Sequence, residues 1–179
     1  DETIKQLELL SLNDGKITGI TTGISSVDGK LSGLQHSQLI LLAARPAMGK
    51  TALGLTMAWN AANSGKSVAF FSLEMSNYQL NQRLISLVSM VELEKIITGN
   101  LEANEWIEII NAITKIKAKE MYVDETAGIT LSELRSKCKR LKAEKGLDLI
   151  VIDYLQLMTG EGRFDNRQQE IAQISRGLK

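Results

Sequence analysis

Short continuous hydrophobic runs alternate along this chain with segments in which hydrophobic residues recur at helical spacing. The continuous runs occupy residues 39–43, 67–73 and 147–153, and a shorter one occupies residues 121–124. Runs of this length are typical of strands that are buried on both faces. Their alternation with helices predicts an α/β fold with a mostly parallel sheet and helices on both faces.

The helical spacing predicts the elements between the strands. The predicted helices are a short turn at 25–31, a helix that follows Thr51 and ends near residue 63, a helix at 75–90, two helices within 92–117, a helix at 130–144 and a helix at 168–178. In the second helix within 92–117, Trp106, Ile109, Ile110 and Ile113 are expected to form the buried stripe.

The first 14 residues are predicted to form a separate unit. Ile4, Leu7 and Leu10 recur at helical spacing, and turn-forming residues follow them. A three-turn helix is marginal in water, so its hydrophobic stripe is expected to lie against this domain or a neighbouring subunit. The predicted organisation is therefore a helix at residues 1–14 and one domain at residues 15–179.

Composition narrows the class of protein. The 179 residues include 21 basic and 21 acidic side chains, so the formal net charge is zero and gives no indication of a nucleic-acid partner. The single cysteine, Cys138, excludes an internal disulfide framework and fits a reducing compartment. No hydrophobic run approaches the ~20 residues of a membrane span. A soluble cytoplasmic protein without membrane contact is therefore expected.

The segment around Lys50 has the order strand, loop, Gly-Lys-Thr and helix that a phosphate-binding P-loop requires. Backbone N–H groups of such a loop and of the helix N-terminus bind an anion, and the helix dipole adds to the attraction. Lys50 would bring a positive charge to the β- and γ-phosphates of a nucleotide, and the Thr51 hydroxyl would bind Mg²⁺. The candidate nucleotide-binding residues are Ala44, Arg45, Pro46, Ala47, Met48, Gly49, Lys50, Thr51 and Ala52.

One position departs from the usual P-loop pattern, because Ala44 stands where the first glycine is expected. If the backbone were left-handed at this position, alanine would be strained by roughly 1–2 kcal/mol. Two interpretations follow. Either the loop is not left-handed at Ala44, or the segment is a strand, turn and helix without a phosphate site.

Two carboxylates and a glutamine follow predicted strands. Ligands of open α/β sheets bind at the carboxyl ends of the strands, where Glu74 and Asp153 lie. Asp153 is the candidate Mg²⁺ ligand opposite Thr51. Glu74 is the candidate general base for the water that attacks the γ-phosphorus, and Gln156 is placed to hydrogen-bond the γ-phosphate or that water. The alternative for each acid is an ordinary surface carboxylate.

These segments together resemble the C-terminal, RecA-like ATPase domain of DnaB-type replicative DNA helicases. The matching segments are SGLQHSQLILLAARPAMGKTA, FSLEMS, IVIDYLQLM and DNRQQEIAQISRGLK, in the family's order. The family's P-loop commonly begins with Ala-Arg-Pro, as residues 44–46 do here. The resemblance therefore accounts for the alanine at the first P-loop position and implies a RecA-like P-loop ATPase core.

The resemblance also implies an activity. It implies a ring-shaped homohexamer that hydrolyses ATP with Mg²⁺, moves 5′ to 3′ along single-stranded DNA and unwinds the duplex at a replication fork. By position, it assigns Lys50, Glu74 and Gln156 to catalysis and Thr51 and Asp153 to Mg²⁺. It implies primase and a helicase loader as partners of the full-length protein, and a linker role for the N-terminal helix. The C-terminal part of the domain, with DNA-facing loops and an arginine finger, is expected to be missing from this chain.

Two alternatives remain open at this point. A RecA-like recombinase or a clock-type ATPase would use nucleotide to control assembly on DNA or on partners. A domain without its arginine finger would bind nucleotide, or recruit a loader or primase, without turnover. Residues 44–46 and 153–156 resemble the helicase group more than the recombinases.

Overall fold

The computed structural model describes residues 17–162, 164 and 166–179. The helix expected at residues 1–14 lies outside the described residues. The elements, in chain order, are α1 (Ser25–Leu31), α2 (Lys50–Asn63), β1 (Val68–Ser72), α3 (Asn77–Ser89), α4 (Leu93–Thr98), α5 (Ala103–Lys117), β2 (Met121–Asp124), α6 (Leu131–Lys145), β3 (Leu149–Asp153), a 3₁₀ turn (Leu155–Leu157) and α7 (Arg167–Leu178). Each of these helices and strands matches an element predicted from the sequence, apart from small differences at their ends.

The three strands form one parallel sheet with β1 at its centre, in the order β2-β1-β3. Phe70 of β1 is paired with Val123 on one side and with Val151 on the other. Every residue of β1 is buried, as its uninterrupted hydrophobic run predicts. The register places Ser72, the last residue of β1, beside Asp153, the last residue of β3.

Helices cover both faces of the sheet. Val68 and Phe70 pack into one hydrophobic cluster with residues of α2 and α3, and Ala69 and Phe71 pack into a second cluster with residues of α6 and α7. This division follows from the strand itself, because successive side chains point to opposite faces. Cys138 belongs to the second cluster, and burial raises the pKa of its thiol. The predicted α/β architecture is confirmed.

The strand predicted at residues 39–43 is wrong. The segment has no regular structure, and its hydrophobic side chains are exposed, with Leu41 72% accessible. A strand persists only where a neighbouring strand receives its backbone hydrogen bonds. Among the described residues, the strands pair only with one another in the β2-β1-β3 sheet. The hydrophobic run indicated burial correctly for β1 but not for this segment.

The buried stripe predicted for α5 is also wrong in part. Ile109 is buried as expected, but Trp106 and Ile110 are 51% and 58% exposed. The side that is covered carries Ile109, Ala112 and Ile116, at a spacing of three and four residues, and Ile116 packs against the cluster that contains α2 and α3. The hydrophobic residues of α5 are too evenly distributed for periodicity alone to identify the face that α3 covers.

A buried carboxylate organises the turn before the P-loop. Asp28 of α1 accepts four hydrogen bonds, which come from the N–H groups of Thr22 and Gly23 and from the hydroxyls of Thr21 and Thr22. Burial alone would raise the pKa of Asp28, but the hydrogen bonds together outweigh it and hold the pKa below its ordinary value of 3.8. Asn60 of α2 donates to the Thr22 carbonyl at 2.9 Å, which attaches the turn to the P-loop helix.

Asp28→Asn is expected to lower the free energy of unfolding by roughly 1–3 kcal/mol at pH 7, because hydrogen bonds to a buried charged group are lost. The folded-state pKa lies below the unfolded one, so the contribution is full above about pH 4 and disappears as the pH falls through the folded pKa. Urea unfolding at pH 7 and pH 3 should therefore show a smaller difference at pH 3. Glu144→Gln, on the exposed side of α6, is the control, and an equal loss in both variants would contradict this role of Asp28.

Candidate nucleotide-binding site

The loop before α2 has two left-handed residues. Ala47 has φ of 62° and Gly49 has φ of 81°, whereas Ala44 has no positive φ. The alanine at the first P-loop position is therefore unstrained, which agrees with the first of the two interpretations above. A Cβ atom at Gly49 would meet no atom within 4 Å. Gly49 is thus required by its backbone conformation and not by crowding.

The N-terminus of α2 opens onto this loop. The helix begins at Lys50 with Gly49 as its N-cap, and no side chain of the described residues caps its first turn. Its first N–H groups therefore have no partner within the helix, and they carry the positive end of the helix dipole. Residues 44–49 are exposed. The loop and helix start form an accessible anion-binding geometry.

Lys50 contacts two residues at the end of β3. Its Nζ lies 3.0 Å from a carboxylate oxygen of Asp153, and the two side chains are 27% and 9% exposed. The same Nζ lies 3.9 Å from the centre of the Tyr154 ring, and the peptide bond between Asp153 and Tyr154 is cis. The two charged residues singled out from the sequence at distant positions therefore meet. Tyr154 was not singled out, and its only sequence signal is that it follows Asp153.

Glu74 lies at the neighbouring strand end. The Leu73 N–H donates to the Asp153 carbonyl at 2.8 Å, so the chain is still paired with β3 one residue before Glu74. Adjacent strands are about 4.8 Å apart. Glu74 and Asp153 therefore lie at the same edge of the sheet, as the strand-end rule predicted. Glu74 is exposed, and within the described residues it forms no hydrogen bond or ion pair.

The turn that carries Glu74 is held on both sides. The Ser72 hydroxyl donates to the Met75 carbonyl at 2.8 Å, and Ser76 caps α3. The next N–H, that of Asn77, donates to the carboxylate of Glu125, which directly follows β2. Glu125 thus ties the start of α3 to the end of β2. Glu125 was not singled out from the sequence, because an acid after a short strand has no pattern that identifies its partner.

Gln156 is exposed on the 3₁₀ turn that follows β3. Arg167 of α7 donates to the backbone carbonyls of Gln156 and Met158 and pairs with Glu170, which accepts the Gly160 N–H at 2.7 Å. The Arg167 hydrogen bond is the main cause of the lowered pKa of Glu170. The turn is thus attached to α7 through its backbone, and the role of the Gln156 side chain stays a prediction.

The chemistry of Thr51 and Asp153 fits Mg²⁺, which prefers oxygen ligands. Thr51 follows Lys50 on the first turn of α2 and is half-buried, and Asp153 is the residue that Lys50 contacts. Among the described residues, no cluster of three or more His, Cys, Asp or Glu side chains is arranged to hold a metal. Mg²⁺ at nucleotide sites is bound by one or two protein oxygens together with phosphates and water. Thr51 and Asp153 supply oxygens of this kind.

The fold and the site together define a class. A parallel α/β sheet, a loop with left-handed Gly49, a lysine at the start of the next helix and an acid at a strand end are the features of a RecA-like P-loop ATPase. The family model described as DnaB-like helicase C terminal domain matches residues 19–179. The chain belongs to this family, which favours the helicase group over the recombinases.

Known proteins agree with this membership. The chain is 45% identical over 180 residues to the replicative DNA helicase DnaB of Geobacillus stearothermophilus and to the replicative DNA helicase DnaC of Bacillus subtilis (strain 168). In each case the match covers 99% of this chain and 40% of the relative. The chain therefore spans about 40% of the length of these relatives.

Two solved structures are similar to the fold. One is an ATPase domain that matches with a TM-score of 0.93 and 31% identity, over 99% of this chain and 64% of that one. The other is a DnaB-like replicative helicase, described with its interactions with primase, which matches with a TM-score of 0.91 and 31% identity, over 98% of this chain and 43% of that one. None of the helices that the structure describes is both long and apolar enough to cross a lipid bilayer.

Proposed function

We propose that the chain is the ATP-hydrolysing motor domain of a replicative DNA helicase. The observation that carries the proposal is the 3.0 Å contact between Lys50, at the start of α2, and Asp153, at the end of β3. These two residues come from distant parts of the sequence and meet beside the exposed loop of residues 44–49. Family membership supports DNA as the polymer on which the motor acts.

The phosphates of ATP are proposed to lie in the loop of residues 44–49 and over the N-terminus of α2. Backbone N–H groups and the helix dipole stabilise their negative charge. Lys50 adds a full positive charge at the β- and γ-phosphates, where charge develops as the terminal bond breaks. Mg²⁺, held by Thr51 and Asp153, would neutralise further charge on the same phosphate oxygens.

Glu74 is proposed to orient and deprotonate the attacking water. Its position one residue beyond the pairing with β3, its exposure and the absence of a partner for its carboxylate among the described residues support a general-base role. Ser72 and Glu125 support the backbone of the turn that carries Glu74, through hydrogen bonds with Met75 and Asn77. Gln156 is proposed to hydrogen-bond the γ-phosphate or the water and to pass the nucleotide state to the turn attached to α7.

The remaining proposals concern the full-length protein. Its relatives are replicative DNA helicases, and one structural neighbour is described with primase. We therefore propose a homohexamer in the cytoplasm that moves 5′ to 3′ on single-stranded DNA, with primase and a helicase loader as partners. The zero net charge of this chain implies that DNA is held by local groups or by their repetition around a ring.

The test is strand displacement by a full-length protein that contains this chain. DNA duplexes that carry only a single-stranded 5′ tail or only a single-stranded 3′ tail determine the polarity of movement. Displacement is expected with ATP and the 5′ tail, and single-stranded DNA is expected to stimulate ATP hydrolysis. Hydrolysis without displacement would contradict the motor and favour an ATPase that controls assembly. Nucleotide binding without hydrolysis would leave only a binding module.

A further inference from the structure

The ammonium group of Lys50 is held between two groups at the end of β3. Its Nζ lies 3.0 Å from the Asp153 carboxylate and 3.9 Å from the centre of the Tyr154 ring. A cation within about 6 Å of a ring centre, over the ring face, is attracted by the electrons of the ring. The Lys50 side chain is 27% exposed, so water screens this attraction only in part.

The two partners are consecutive residues, so both contacts hold the Lys50 ammonium at the end of β3. The proposed function requires a different arrangement, in which Lys50 faces the phosphates and Asp153 faces Mg²⁺. In that arrangement the ammonium would give up its place beside the carboxylate and over the ring face, where it lies in this structure. The contacts with Asp153 and Tyr154 therefore compete with nucleotide binding.

We propose that Tyr154 is a positioning residue that stabilises the pairing of Lys50 with Asp153 and thereby lowers the affinity of the site for nucleotide. This inference rests on the proposed function. The ring stabilises the paired arrangement and contributes little once Lys50 faces the loop. Removing the ring therefore raises the population of the arrangement that binds phosphate. The apparent affinity for nucleotide rises by the same factor as this population.

Two substitutions distinguish the effect of the Tyr154 ring face on nucleotide binding from the effect of its hydroxyl. Tyr154→Leu keeps a large hydrophobic side chain without a π face, and Tyr154→Phe keeps the face without the hydroxyl. Tyr154→Leu is expected to bind MgADP roughly fivefold more tightly than the wild type, which is the size of a partly screened cation–π contact. Tyr154→Phe is expected to bind like the wild type. Calorimetric titration of the full chain with MgADP measures the affinity of each variant. The control is Tyr78→Leu, which changes an exposed tyrosine of α3.

The direction in which the nucleotide affinity changes distinguishes this role of Tyr154 from a purely structural one. A tyrosine that only supported the fold of the site would weaken nucleotide binding when replaced, whereas the competing contact predicts tighter binding. A second measurement needs no nucleotide. Protons on the ε-carbon of Lys50 should be shifted upfield by the ring in NMR spectra of the wild type and of Tyr154→Phe, and they should lose this shift in Tyr154→Leu.

The outcomes distinguish this inference from the proposed function. If the wild type binds MgADP and Tyr154→Leu binds it equally or more weakly, the role of Tyr154 is overturned and the proposed function stands. An absence of the upfield shift in the wild type overturns the role of Tyr154 in the same way. If the wild type does not bind MgADP at all, the proposed function fails and this inference fails with it.

Discussion

Lys50→Ala is expected to reduce ATP turnover on the order of 10²- to 10³-fold, the usual effect of removing one group that stabilises developing charge in a transition state. Lys50 is the only side chain of the candidate site that brings a full positive charge within 3.0 Å of Asp153 in the described part of the chain. The backbone N–H groups of the loop would remain, so some nucleotide binding is expected to survive. Steady-state ATP hydrolysis and nucleotide titration of the same preparation separate the two effects.

Lys139→Ala is the matched control for this substitution. Lys139 is an exposed lysine of α6, which packs on the opposite face of the sheet from α2. Thermal unfolding of both variants is needed as well, because Lys50→Ala leaves the nearly buried Asp153 carboxylate without its partner. If Lys50→Ala folds like the wild type and hydrolyses ATP at the wild-type rate, the P-loop assignment is contradicted.

Helices and strands that are determined by their own residues were predictable from the sequence. β1 needed only its uninterrupted hydrophobic residues, and α2 needed only the run of good helix formers with helical spacing after Thr51. Similarly, the strand-end rule predicted that Glu74 and Asp153 would share one edge of the sheet, because parallel strands bring their carboxyl ends together. Lys50 also meets Asp153, although residues 39–43 do not form the strand through which the rule would have placed it.

Other features depend on tertiary contacts that the sequence does not encode locally. Residues 39–43 have a hydrophobic run like that of β1, but a strand also needs a pairing partner, and none of the described strands pairs with this segment. In α5, only the approach of α3 decides which of several hydrophobic residues is covered. The Asn77–Glu125 and Lys50–Tyr154 contacts require side-chain directions that exist only in the folded chain.

Glu74→Gln is expected to retain nucleotide binding and to lose ATP hydrolysis by on the order of 10²-fold or more, the usual size of a general-base effect. Glutamine has nearly the same shape as glutamate, and Glu74 has no hydrogen bond or ion pair within the described residues that the change would break. The fold of the turn should therefore be unchanged. Only the ability to accept a proton from the attacking water is removed.

The experiment compares Glu74→Gln with Glu94→Gln, which changes an exposed acid of α4 in the same way. ATP titration and single-turnover hydrolysis are measured for both variants. Glu94→Gln should match the wild type in each measurement, whereas Glu74→Gln should match it only in binding. Normal hydrolysis by Glu74→Gln would contradict the general-base role and leave another group to orient the water. Weakened binding with normal turnover of bound ATP would instead place Glu74 at the nucleotide without a part in proton transfer.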